Sequence, residues 1–252
     1  MSGTNPDMSD AIEIGDGIYW IGFFDKESQL NSNPFLIIDG DETVLIDPGS
    51  IPDFPVIMRK IIDIVNPESI STIIAAHQDP DVCGNLPVIE DVIHRADLKI
   101  VAHSTTHRLI YHYGIKSELY AVDEHDYSLT LESGRRLDFV YTPYLHSPGA
   151  IITHDIQSKS LFTSDIFGSL SRSANLFAGK EFPESMARWH QAIMPSSQLL
   201  NGAMDIIEKM DVSRILPQHG SLIPGDRIAE AIAYLKALPC GYDLIPGGKN
   251  DQ

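Results

Sequence analysis

The segment AAHQDPDVCGN, residues 75 to 85, carries His77, Asp79 and Asp81 at alternate positions directly behind the apolar run ISTIIAA. Imidazole and carboxylate both ligate metals, so three of them at i, i+2 and i+4 place a set of donors on one loop. Taken alone, the triplet also reads as a polar turn whose aspartates cap the helix that follows. Distant residues of the same kind weigh against the bland reading. Asp47 closes the run ETVLID, His146 lies in YLHSPG, Asp165 follows LFTS and His219 follows ILPQ, each at the end of a predicted strand. Loops at strand ends can converge on one point while the sheet holds them rigid. Three histidines and three carboxylates suit two metal ions with one carboxylate bridging. The mixture leans towards iron or manganese over zinc alone, because imidazole suits iron and zinc while carboxylates favour harder cations. Only Cys83 and Cys240 are present, too few for a thiolate site on their own or for a disulfide framework.

Two strand-rich halves with helices between and after them would have to position these groups. GIYWIGF (17 to 23), NPFLIIDG (33 to 40) and ETVLIDPG (42 to 49) read as short strands separated by Gly and Asp. DFPVIMRKIIDIV (53 to 65) spaces its apolar residues as an amphipathic helix that Asn66-Pro67 closes. ISTIIAAH returns to strand, NLPVIEDVIHRA (85 to 96) is helical with Asn85 at its N-cap, and LKIVAH (98 to 103) is a further strand. The second half reads as a hairpin over 127 to 143, another over 150 to 168, and a loop from Ser169 to Ser185 covering whatever Asp165 serves. Two helical stretches broken at Pro195, a strand ending at His219 and a last helix over 226 to 238 complete it. No repeat or linker is visible, so residues 1 to 252 are expected to form one domain of the α/β class, two sheets between helices.

Composition narrows the function. A formal charge of −17 argues against unaided binding to nucleic acid or an anionic membrane, which need clustered Lys and Arg. No apolar run reaches the roughly 18 to 20 residues of a membrane span, and the start MSGTNPDMSD lacks the regions of a signal peptide, so a cytoplasmic protein is expected. His103 and His107 stand four apart, but no Glu follows His103 as a zincin helix requires; they read as solvated or capping residues. Cys83 reads as a small buried hydrophobe. Tyr111, Tyr113, Tyr120, Phe167 and Trp189 read as core or dimer contacts, one of which could line a pocket.

LIDPGS, HQDPDVCGN, YLHSPG, LFTSDIFG and LPQHG resemble, in order and over essentially the whole chain, the motifs of the metallo-β-lactamase superfamily. That resemblance implies a four-layer αββα sandwich with the site at strand ends between the sheets. Its zinc hydrolases carry a His where this chain has Asp79. A carboxylate there is similar to the diiron branch, the flavodiiron proteins and the stand-alone oxygen-binding diiron proteins. Carried over, the resemblance implies that His77, Asp79 and His146 bind one iron, Asp81 and His219 the second, and Asp165 bridges. Asp47 would support them through hydrogen bonds, although Asp47-Pro48-Gly49 also reads as a plain turn.

Three departures from the branch stand out. Asp79 is one methylene shorter than the family's Glu. Val82 replaces a His and leaves the second metal an open face, where an exogenous ligand would bind; no catalytic side chain is assigned. Gly149 stands where an acidic residue is common. The implied function is a non-haem diiron protein that binds or reduces O2 or NO, as a sensor or scavenger. With no flavodoxin-like domain expected, it would rely on a separate electron-transfer or signalling protein; a homodimer is implied by resemblance. Two Fe ions are the expected cofactor, with Zn or Mn as alternatives. The competing reading is a dimetal hydrolase of a phosphodiester such as a cyclic nucleotide, a thioester or a lactone.

Overall fold

The computed structural model describes residues 6–25, 30–170 and 175–246. Its strands are β1 (Ile12–Gly15), β2 (Ile18–Trp20), β3 (Phe23–Asp25), β4 (Leu30–Ser32), β5 (Phe35–Asp39), β6 (Glu42–Ile46), β7 (Ile70–Ile74), β8 (Lys99–Ala102) and β9 (Glu118–Ala121) in the first half. The second half has β10 (Ser128–Thr130), β11 (Arg136–Tyr141), β12 (Ile151–Asp155), β13 (Ser160–Ser164), β14 (Arg214–Pro217) and β15 (Ile223–Pro224). The helices are α1 (Phe54–Ile62), α2 (Pro80–Cys83), α3 (Leu86–Ile93), α4 (Ser104–Ile110), α5 (Ala187–Ile193), α6 (Ser197–Ile207) and α7 (Ile228–Ala237).

One sheet has the order β1-β2-β5-β6-β7-β8-β9 and the other β10-β11-β12-β13-β14-β15, while β3 and β4 form a separate small hairpin. The central strands are apolar on both faces, the composition expected of strands covered on both sides. Leu36, Leu45, Ile73 and Ile100 face outward and pack with Ile57 and Ile61 of α1 and Ile89 and Ile93 of α3. Their neighbours Phe35, Ile37, Val44 and Ile74 face inward and meet Leu137, Phe139, Ile151 and Phe162 of the other sheet. Phe35 and Phe162 touch edge to face across that seam, 5.3 Å between centroids. The outer face of the second sheet, with Ile152, Leu161 and Ile215, is covered by Leu200, Met204, Ile232 and Leu235 of α6 and α7. Three apolar layers thus separate four layers of structure in the order αββα.

The direction of the strands places the site. β6, β7 and β8 run parallel, as do β13 and β14, so their C-terminal ends open on one edge of the sandwich. Ile151 N donates to Ala76 O at 3.0 Å and Asn33 N to Gln218 O at 2.9 Å, sewing the two sheets together at that edge.

Several expectations need revision. Asn85 precedes α3 but caps nothing with its side chain; its Nδ2 donates to Pro48 O at 3.1 Å and ties two site loops together. The metal-loop candidate is not an open turn, because residues after Asp79 wind into α2, a helix too short to show as periodicity. His103 does cap α4, its Nδ1 accepting from Thr105 N at 3.1 Å, but neither it nor His107 is solvated. α4 and the edge strand β9 were not foreseen. In the loop from Ser169 to Ser185, Leu176 is buried between the sheets; its residues 171–174 lie outside the described part.

Candidate metal centre

Asp47 and His77 lie beyond the ends of β6 and β7, Asp165 directly after β13 and His219 two residues after β14, while His146 sits in the connection from β11 to β12. These side chains, with Asp79 and Asp81, meet at one point. Nε2 of His146 lies 2.8 Å from Asp165 Oδ2 and 3.2 Å from Asp79 Oδ2. Nε2 of His77 lies 3.5 Å from the same Asp165 Oδ2 and 3.7 Å from Asp79 Oδ2. The other oxygen of Asp165 faces elsewhere: Oδ1 is 3.6 Å from His219 Nε2, which lies 3.2 Å from Asp81 Oδ2. One carboxylate thus stands between a group of His77, Asp79 and His146 and a group of Asp81 and His219.

The donors point inward because their other atoms are held. Nδ1 of His77 is 3.0 Å from Ser164 Oγ, and Nδ1–H of His219 donates to the carbonyl of Asn31 at 2.8 Å. Fixing Nδ1–H on His219 leaves the Nε2 lone pair free to ligate. The backbone carbonyl of Asp165 accepts from Trp189 Nε1 at 3.0 Å, and Phe167 N donates to His190 Nε2 at 3.1 Å, so two successive residues of α5 grip the Asp165 turn. Asp47 takes the amide N–H of Ala76 on Oδ1 at 2.8 Å and thereby fixes the start of the His77 loop. Gln78 Nε2 donates to Asp79 Oδ1 at 3.0 Å and to Ser147 Oγ at 2.7 Å.

His77, Asp165 and His219 form a buried floor, whereas Asp79, Asp81 and His146 are partly exposed and face solvent. Val82 is not at that open side. Its side chain is fully buried in the apolar layer beneath α1 and α3, so its part is to supply no donor. Cys83 is buried and its Sγ bonds to Asp79 O at 3.2 Å; burial pushes its thiol further up, away from the thiolate. Gly149 has a steric cause: a Cβ there would come within 2.4 Å of Thr106 Oγ1 and 2.8 Å of Thr106 N, where α4 packs against the His146 loop. Gly220 is required beside His219, with φ of +83° and Ser169 Oγ where a Cβ would stand.

The electrostatics favour cations. The His146 imidazole is pushed up to about 10 by its hydrogen bonds to Asp165 and Asp79. Burial alone would raise Asp165, but His77, His146 and His219 hold it well below the usual carboxylate range. Asp79 is lowered by its hydrogen bond with His146. Burial pushes Asp47 up to about 7. Asp165 Oδ1 is buried without a hydrogen-bond partner and faces His219 Nε2 at 3.6 Å, between the two groups. A buried polar atom left open costs stability unless something occupies the gap. Nitrogen and oxygen donors with a nearby unpartnered atom fit a pair of divalent ions; the donors of His77, Asp79 and His146 alone lie within 4.8 Å of one another.

A family model described as ODP family beta lactamase matches residues 30–220. The chain belongs to the ODP family. Among curated relatives, this ODP family member is 27% identical over 247 residues to a nitric oxide reductase of Moorella thermoacetica, covering 90% of this chain and 61% of the relative. A flavo-diiron protein, FprA2 of Clostridium acetobutylicum, is 25% identical over 88% of this chain and 59% of its own. The chain therefore spans about three-fifths of the length of these relatives. Among solved structures, rubredoxin oxygen:oxidoreductase of Desulfovibrio gigas superposes with a TM-score of 0.81 at 22% identity, over 93% of this chain and 61% of that one. The apo chemotaxis sensor ODP from T. denticola does so with a TM-score of 0.76 at 23% identity, over 93% and 96%. The fold is thus of metallo-β-lactamase type.

Of the residues that shape the centre, Ser164, Gln78 and Asn31 were not expected there. Ser164 could have been suspected from its place beside Asp165. Asn31 lies 188 positions from the histidine it orients, and no local pattern marks it. Of the aromatics left between core and pocket, Trp189 reaches the centre, its ring 4.7 Å from that of His219. Tyr113 donates to Gln78 O at 3.2 Å.

Proposed function

We propose that this chain is a non-haem diiron protein that binds O2 or NO, as a sensor or scavenger. The observation that carries the reading is the placement of Asp165, one oxygen toward His77 and His146 and the other toward His219. His77, Asp79 and His146 would hold one iron and Asp81 and His219 the other, with Asp165 placed to be shared between them. The carboxylate at Asp79, in place of a second imidazole on this loop, favours iron over zinc. The second position has one protein donor fewer than the first and lies beside the more exposed carboxylate, Asp81, where a small ligand can enter. When bound there, a ferrous pair supplies two electrons and an open coordination position for O2 or NO.

The residues do the rest. Ser164 and the Asn31 carbonyl keep the imidazoles aimed inward, and the buried floor of His77, Asp165 and His219 keeps water from the inner side. The relatives that support the reading are a nitric oxide reductase, a flavo-diiron protein and a chemotaxis sensor. Electrons come from a separate donor protein, or a signal passes to a separate partner, and the chain acts as one cytoplasmic, homodimeric dimetal domain. Among the described residues no helix is long and apolar enough to cross a membrane.

Protein purified without oxygen decides the matter through its metal content and its absorption spectrum before and after air. The expected result is two irons per chain, a new visible band with O2 and measurable O2 uptake. Protein loaded with iron that gives neither band nor uptake overturns the reading. Zinc or manganese, with metal-dependent turnover of a phosphodiester or ester, points to the hydrolase instead.

A further inference from the structure

The loop that presents His219 is held mainly by residues from the other half of the chain. Asn33, fully buried just before β5, donates from Nδ2 to Pro217 O and to Gly220 O, both at 2.9 Å. Its backbone N donates to Gln218 O at 2.9 Å. Asn31 Nδ2 donates to Gly220 O at 2.9 Å, and the Asn31 carbonyl receives His219 Nδ1–H. Every residue from 217 to 220 is therefore engaged by Asn31 or Asn33. The Asn33 amide has one orientation, because its Oδ1 accepts from Trp20 Nε1 at 2.8 Å. Trp20 is fixed in turn by burial and by Lys60 Nζ, 4.2 Å above its ring.

We infer that Asn33 is a positioning residue for the second metal position, acting through the backbone on either side of His219; this rests on the dimetal reading above. Two of the three carbonyls, Pro217 O and Gly220 O, share the amide NH2 of this one side chain while its oxygen is held by Trp20, and the backbone N of Asn33 takes the third, Gln218 O. Among the described residues, no comparable bonds run from Asn33 to the loops of His77, Asp79 or His146. Its loss should therefore act on one metal and spare the other. Outer hydrogen-bond partners of metal ligands typically change affinity by roughly 10- to 100-fold.

The test is titration of metal-free full-length protein with Co(II), followed by visible absorption, with Asp81→Asn used to assign the band of the second position. Asn33→Asp keeps the acceptor for Trp20 and removes both amide donors. It should weaken the second Co(II) roughly 10- to 100-fold and leave the first within about threefold. Because a buried Asp can prevent folding, Trp20→Phe serves beside it, keeping the ring and removing only the N–H that orients the amide. It should weaken the second Co(II) alone, by a smaller factor. If either folded variant binds the second Co(II) as wild type does, or loses both ions by the same factor, the inference is overturned. If wild type itself binds fewer than two Co(II), the dimetal reading falls and the inference with it.

Discussion

At the edge of the double sheet farthest from His219, the Arg135 guanidinium lies buried against both oxygens of Asp155 and donates to Asp16 O at 3.0 Å. Arg214 beside it joins the carbonyl of Ile14 and the carboxylate of Asp16 to the start of β14. Asp155 also accepts from Gln157 N and Ser158 Oγ, so its acceptor capacity is filled by the protein. At the opposite edge Asp79, Asp81 and Asp165 face imidazoles, and Asp165 Oδ1 has no hydrogen-bond partner. Both edges bury acidic groups, but their counter-charges differ in kind. A guanidinium does not release its proton at any ordinary pH, so the far edge is permanently closed. An imidazole can exchange its proton for a metal, so the site edge is a set of acids whose partners are replaceable. The fold is locked at one edge and exchangeable at the other.

The sharpest way to separate the two edges is Asp165→Asn. The variant should lose metal from both positions, more than the roughly 10- to 100-fold that an outer partner is worth, with the fold retained; metal analysis and circular dichroism after anaerobic loading check it. Full loading of this variant would mean that Asp165 is not shared. Asp155→Ala tests the other edge. It strands a buried guanidinium and should cost about 3–5 kcal/mol in urea denaturation while the folded fraction still takes up metal at the wild-type ratio. Loss of metal in that variant would show the edges to be coupled.

A smaller effect lies behind the Asp165 turn. Burial holds His190 down at about 4, so it is neutral in the fold. As pH falls below the ordinary value near 6.5, the unfolded chain takes up this proton and the folded chain does not until about pH 4. Stability is therefore lost over that window, by about 3 kcal/mol from this group. Denaturation of metal-free wild type and His190→Gln at pH 7 and pH 4.5 should show the wild type declining more steeply. Equal declines would remove His190 from the account.

Much of this was legible in the chain. Pro and Gly punctuation and apolar runs placed the central strands and most of the helices near their observed positions, because strands buried on both faces are long in Ile, Val and Leu. Where the apolar signal was weak or the element brief, the reading missed: α2 spans one turn inside the metal loop, and β9 is an edge strand with half its residues exposed. The loop residues His77, Asp79, Asp81, His146, Asp165 and His219 could be chosen because each follows a strand, and strand ends are where a sheet can afford functional loops. A vacant donor position in a motif does not say which way the replacing side chain turns; the apolar side chain of Val82 is buried in the core.

By itself, then, the sequence determined the kinds of donor and their order, because side-chain chemistry and strand periodicity are local properties. Only the tertiary structure decided how they group. Parallel strands bring ends 142 positions apart to one edge, as with His77 and His219. Which oxygen of Asp165 faces which histidine, and which distant amide or carbonyl steadies each ring, depends on how two sheets pack across a shared apolar seam. That packing is cooperative over the whole chain, and no stretch of residues carries it alone.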